Sequence, residues 1–107
     1  MPTTISESPS VVTLIDVFEA TPHEQADLVE LLERSAVEVM QYLDGFISAS
    51  VHRGLDGKHV ALYAQWARRE DLEAMLAHSK VEEQMRAART LGRSTSALYS
   101  VDSVLEK

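Results

Sequence analysis

Residues 46 to 66 constrain the fold more than any other part of the chain. Within "FISASVHRGLDGKHVALYAQW", two runs of alternating character flank a turn. A period of two places every second side chain on the same face of a strand. The intervening "GLDG", with Asp56-Gly57, suits a hairpin connection. Pairing Arg53 with Lys58 sets Ile47, Ala49 and Val51 beside Val60, Leu62, Ala64 and Trp66. That surface is uniformly apolar and belongs beneath a helix layer. The other face, with Ser48, Ser50, His52, His59, Ala61, Tyr63 and Gln65, is mixed and fits a partly polar subunit interface.

The flanking segments supply the helices and two further strands. "VVTLIDVFEA" is β-branched and reads as a strand from about Val11 to Glu19. "TPHE" opens a helix, with Thr21 as cap, Pro22 in the first turn and Glu24 where a capping box needs an acid. Leu28, Leu31, Leu32, Val39 and Leu43 continue it as one apolar stripe, and Gly45 stops it. A second helical region begins near Arg69, carries Leu72, Met75 and Leu76, and resumes with Val81, Met85 and Ala88 after a break near Ser79. "LGRS" punctuates, and "TSALYSVDSVL" closes as a fourth strand. The order β-α-β-β-α-β is the α+β, ferredoxin-like arrangement with an antiparallel sheet. Residues 1–10 read as a flexible arm and residues 11–107 as one domain.

Two helices cover only one face of four strands. The first strand presents Val11, Ile15 and Val17 on one face and Val12, Leu14 and Phe18 on the other, so both faces are apolar. The uncovered face calls for a partner, and a twofold homodimer packed sheet to sheet is the simplest solution. Nucleic acid and anionic membranes are poor partners for a chain of net charge −7. No apolar run approaches the ~20 residues that span a bilayer. The polar N-terminus lacks a basic, hydrophobic signal, so a cytoplasmic location is expected. The absence of cysteine removes thiolate catalysis and cysteine-ligated metals.

Asp16 is the most informative single residue. A carboxylate in an apolar strand is costly to keep charged, and desolvation raises its pKa. A carboxylate so raised can take a phenolic or α-carbonyl proton. It shares a strand face with Leu14 and Phe18, but parity leaves open whether that face is also Trp66's; on the other face it would be an interface pairing residue. His52 and His59 offer two nitrogens across the hairpin, with no third ligand spaced to join them, so no metal site is expected. His78 stands at the break between helical segments, either as a substrate contact or as a local cap. Arg86 could clamp an acidic phenol, or form Glu–Arg pairs within "EEQMRAAR". No nucleophilic serine motif or phosphate-cradling glycine loop is present.

"DGFISASVHRGLDGKHVALYAQW" followed by "EDLEAMLAHSKVEEQMRAA" resembles the antibiotic biosynthesis monooxygenase (ABM) superfamily, and within it the small anthrone oxygenases of aromatic polyketide pathways. The likeness runs from about Val11 to Val101. It implies a dimeric α+β barrel with a pocket between sheet and helices, and oxidation of an anthrone-type polyketide by O2 without metal, flavin or haem. The family's tryptophan falls on Trp66, implying a pocket wall or catalytic residue. The resemblance also places substrate contacts at Leu62, where anthrone oxidisers carry asparagine, at Leu72, where they carry tyrosine, and at Arg86; His78 and Phe18 join them from the reading of the residues. A second family asparagine falls on Asp16. With the amide and phenol replaced by leucines, a non-oxidative cyclase or isomerase and a non-catalytic ligand-binding dimer stand as alternatives.

Overall fold

The computed structural model describes residues 11–107; the N-terminal arm expected over residues 1–10 lies outside the described residues. Strand β1 (Val12–Ala20) leads into helix α1 (Pro22–Glu38) and a short 3-10 turn (Met40–Tyr42). The hairpin β2 (Phe46–Arg53) and β3 (His59–Trp66) follows, then α2 (Arg69–Ala77), α3 (Ser79–Leu91) and β4 (Gly92–Tyr99). The strands lie in the order β2-β3-β1-β4, with every neighbouring pair antiparallel. This is the ferredoxin-like α+β fold, with the helices on one face of the sheet.

Helix α1 starts where the sequence places it, but its first turn is wired differently. The Thr21 hydroxyl donates to Glu24 Oε1 at 2.8 Å, and it is the Thr21 carbonyl that accepts the Glu24 and Gln25 backbone N–H groups. The helix stops at Glu38 rather than running on to Leu43, and the 3-10 turn tucks Met40 into the core. Gly45 then reverses the chain with φ of +78°. A side chain there would collide with the buried Asp71 carboxylate, which Arg68 holds through two hydrogen bonds of 2.9 and 3.1 Å. Glycine is required on both counts.

The hairpin differs from expectation in register while keeping its faces. Arg53 pairs with Val60, not Lys58, and Val51 pairs with Leu62. Residues 54–58 form the longer loop, closed by Gly54 N–H to the His59 carbonyl at 2.7 Å and by the Lys58 N–H to Asp56 Oδ1 at 2.8 Å. Gln25 of α1 donates to the Gly54 and His59 carbonyls and fastens that loop to the helix layer. A slip of two residues preserves parity, so the apolar row stays beneath the helices. Ile47 is the exception. A bulge between Phe46 and Ser48 leaves it 40% exposed, and Phe46 takes its place opposite Trp66.

Strand β4 begins at Gly92, three residues before the expected start, and ends at Tyr99. Gly92 pairs with Ala20, and a side chain there would press on the Glu19 carbonyl, so this glycine serves close strand approach rather than a turn. The core between sheet and helices is formed by Phe18, Leu28, Leu32, Val60, Leu62, Trp66, Leu72 and Val81, all essentially inaccessible to solvent.

Candidate active site

The antiparallel pairing of β1 settles the face on which Asp16 lies. Asp16 is opposite Leu62, Leu14 opposite Ala64, Val12 opposite Trp66 and Phe18 opposite Val60. Paired residues in a ladder share a face, so Asp16 points to the helix layer, on Trp66's side of the sheet. On its other flank Asp16 pairs with Ser96 of the edge strand β4, while Phe18 pairs with Ser94 and Leu14 with Leu98. The small β4 side chains leave room between that edge strand and α3. The result is a cavity of about 310 Å³, within the range of small-ligand sites.

The cavity floor is Leu14, Asp16 and Phe18 of β1 with Leu62 of β3. Met40, Met75 and Leu76 close one side, and Glu82, Met85 and Arg89 descend from α3. Ser94, Ser96 and Leu98 of β4 line the edge-strand side. The lining is mostly apolar, with methionines that adapt to ligand shape. The buried polar group in it is the Asp16 carboxylate, only 7% exposed. Its Oδ1 has no hydrogen-bond partner among the described residues. Burial pushes its pKa above the ordinary 3.8; the Ser96 hydroxyl, as donor, and the Arg89 charge pull against that rise. A buried carboxylate set in the wall of an apolar cavity, its pKa raised, is a candidate proton acceptor.

Asp16, Leu62 and Phe18 therefore come together as expected, and the other four candidate residues do not join them. Trp66 is wholly buried where β3 meets the following loop, packed edge-on against Phe46 with ring centroids 5.4 Å apart. It does not line this cavity: it pairs with Val12, beyond the Leu14 and Asp16 rungs that form the floor. Leu72 is likewise fully buried in the core, on the inward stripe of α2. His78 caps α3, its Nδ1 accepting the Lys80 N–H at 3.2 Å. Arg86 points to solvent and pairs with Glu82 at 3.2 Å. His52 lies opposite Ala61 rather than His59, and His59 pairs with Asp56 instead. Among the described residues, no group of three or more potential ligands is placed to hold a metal ion.

Arg89, Met85 and Ser96 were not anticipated. Glu82, Met85 and Arg89 recur at intervals of three and four, the spacing of a single helix face. Arg86 lies about 100° around α3 from Met85, which is enough to turn it to water. Ser96 carries no motif, and only its pairing with Asp16 reveals it.

The profile of the antibiotic biosynthesis monooxygenase family matches residues 11–90. Over 90 residues the chain is 34% identical to tetracenomycin-F1 monooxygenase of Streptomyces glaucescens, covering 84% of this chain and 80% of that protein. Among solved structures, SnoaB of Streptomyces nogalater, described as a cofactor-independent oxygenase, aligns with a TM-score of 0.79 and 21% identity. The alignment covers 92% of this chain and 99% of SnoaB. The ActVA-Orf6 monooxygenase of Streptomyces coelicolor, solved with nanaomycin D, aligns with a TM-score of 0.78 and 24% identity over 92% of each chain. These two structures share the fold described above.

Proposed function

Since the chain belongs to the antibiotic biosynthesis monooxygenase family, we propose that it oxidises an aromatic polyketide of anthrone type with O2, and that Asp16 is the base that starts the reaction. The observation that carries this reading is the Asp16 carboxylate, buried on the cavity floor with Oδ1 unpartnered. An anthrone has an acidic methylene between two rings that bear hydroxyls. Asp16 takes a proton from it, leaving a delocalised carbanion. That anion reduces O2 and forms a carbon–oxygen bond, giving a hydroperoxide after protonation. Loss of the second methylene proton with O–O cleavage yields the quinone carbonyl and water. One oxygen atom enters the product, the other leaves as water, and the substrate supplies all the electrons. No flavin, haem or metal is needed by this balance. The protein orients the ring system, favours its anion and excludes water.

Phe18, Leu62 and Leu14 supply flat apolar contact for the rings, with Met85 and Met75 above. An anthrone incubated with metal-stripped protein is expected to give quinone faster under air than the spontaneous reaction, with no product under nitrogen. Equal rates with and without protein would remove the oxygenase reading. Conversion of a polyketide without oxygen uptake would instead identify Asp16 with acid–base work in a cyclase or isomerase.

The sheet's outer face supports a homodimer packed sheet to sheet. Ile15, Val17, Tyr63 and Tyr99 face outward from β1, β3 and β4, with Val17 38% and Tyr99 50% exposed. Residues 100–105 border the part of this face over Thr13 and Tyr63. Sedimentation equilibrium is expected to return twice the chain mass of 11.9 kDa; a monomer at micromolar concentration would exclude the dimer.

A further inference from the structure

Resting on the reading of the cavity as a polyketide site, we propose that Arg89 makes it selective for substrates that bear a carboxylate. The guanidinium at the cavity mouth holds the acid group while the rings lie inward.

Helix α3 leaves Arg89 without a partner. Arg34, Arg68, Arg69 and Arg86 each pair with an acid three or four residues away in the chain. The residues at those distances from Arg89 are Met85, Arg86, Gly92 and Arg93, none of them an acid. Arg89 accordingly enters none of the ion pairs among the described residues. It is exposed, yet it lines the cavity from the α3 face it shares with Glu82 and Met85. Of the two acids that also border the cavity, Glu82 is held by Arg86, and Asp16 is buried on the floor. An unpaired guanidinium presents a planar fork of donors, which a carboxylate meets through two hydrogen bonds.

The charges also set the direction of binding. A carboxylate pushed to the floor would lie against Asp16, and two anions at short range disfavour one another. At the mouth it meets Arg89 instead, with apolar rings against Leu14, Phe18 and Leu62. Beyond the mouth, Arg89 borders an open groove together with Lys58 and Arg93. That groove sets three cations against Glu19 and Glu24, a positive balance on a chain of net charge −7. Such a patch draws anions to the entrance.

Product-like probes test this without turnover. Titration calorimetry compares an anthraquinone carboxylate with the matching carboxamide, which has the same rings and nearly the same size. The wild-type protein is expected to bind the carboxylate about tenfold more tightly or better, the order of one charge-assisted contact. Arg89→Gln should bring the two affinities together by weakening the carboxylate alone. Arg89→Lys should keep part of the preference. Arg34→Gln, which removes the same charge from the exposed face of α1, should keep all of it. Equal affinities in the wild type, a preference that survives Arg89→Gln, or one lost as fully in Arg34→Gln would overturn the role of Arg89. Failure of both quinones to bind would overturn it as well. Oxygen takes no part in these titrations, so the selectivity is judged separately from the oxygenase reading, which falls if air gives no added quinone formation.

Discussion

Asp16→Asn is expected to lower kcat by about 10²–10⁴-fold, the usual contribution of a positioned general base, while raising stability at neutral pH. The two effects have one cause. Asparagine keeps the shape of the side chain and its place beside Ser96 but cannot accept the proton. It also removes a charge that burial makes costly. The sign follows from the raised pKa of Asp16 in the folded protein. Below the ordinary value of 3.8, folded and unfolded chains are both protonated and no charge is buried. As pH rises through the folded value, the folded protein must ionise a group that the unfolded chain ionises in water, and stability falls. The gap in urea midpoint between Asp16→Asn and wild type should therefore widen with rising pH. Asp71 has a lowered pKa, held by Arg68, and its contribution has the opposite sign, fading as pH falls. That term is common to both proteins and cancels in the comparison. Turnover of Asp16→Asn at the wild-type rate would exclude Asp16 as base.

Trp66→Ala is expected to cost about 3–5 kcal/mol of stability, the range for deleting a large buried aromatic. Trp66 is completely inaccessible and sits on Phe46, the residue that the bulge installs in the apolar row. Removing the indole leaves a hole under the start of β2 and frees the edge-on ring contact. Trp66→Phe separates packing from chemistry. It keeps a ring in the hole and disposes of an indole N–H that has no acceptor among the described residues, a group costly to bury. Its loss of stability should be clearly smaller and its kcat close to wild type. A Trp66→Phe protein that is stable but loses kcat as Asp16→Asn does would return Trp66 to the reaction.

Much of this arrangement is legible in the residues. The alternation in 46–66 is strong enough to assign faces even though the pairing is displaced by two residues, because side-chain parity survives an even displacement. The break near Ser79 is legible too, since the apolar spacing restarts there, with His78 as cap. Other features are not local properties. The bulge at Ile47 arises from how β2 meets β3 near Trp66, and Gly92 looks like punctuation until its pairing with Ala20 is seen. The cavity wall is harder still. Asp16 is visible as a buried acid, but Ser96 becomes relevant only through a contact eighty residues away in the chain. Arg86 and Arg89 are chemically equivalent, and only the rotation of α3 about its axis separates a surface ion pair from a cavity lining.

The even displacement in the β2–β3 hairpin also bears on how related chains can vary. Because β3 is held in phase by its pairing with β1, a residue added within 54–58 is taken up by the loop. A one-residue slip of β2 along β3, by contrast, would turn Ala49 and Val51 to the outer face and bring Ser48 and Ser50 under the helices. It is the pairing that must shift in steps of two, an odd slip needing a further bulge to restore the phase, while the length of the connection itself is free to vary.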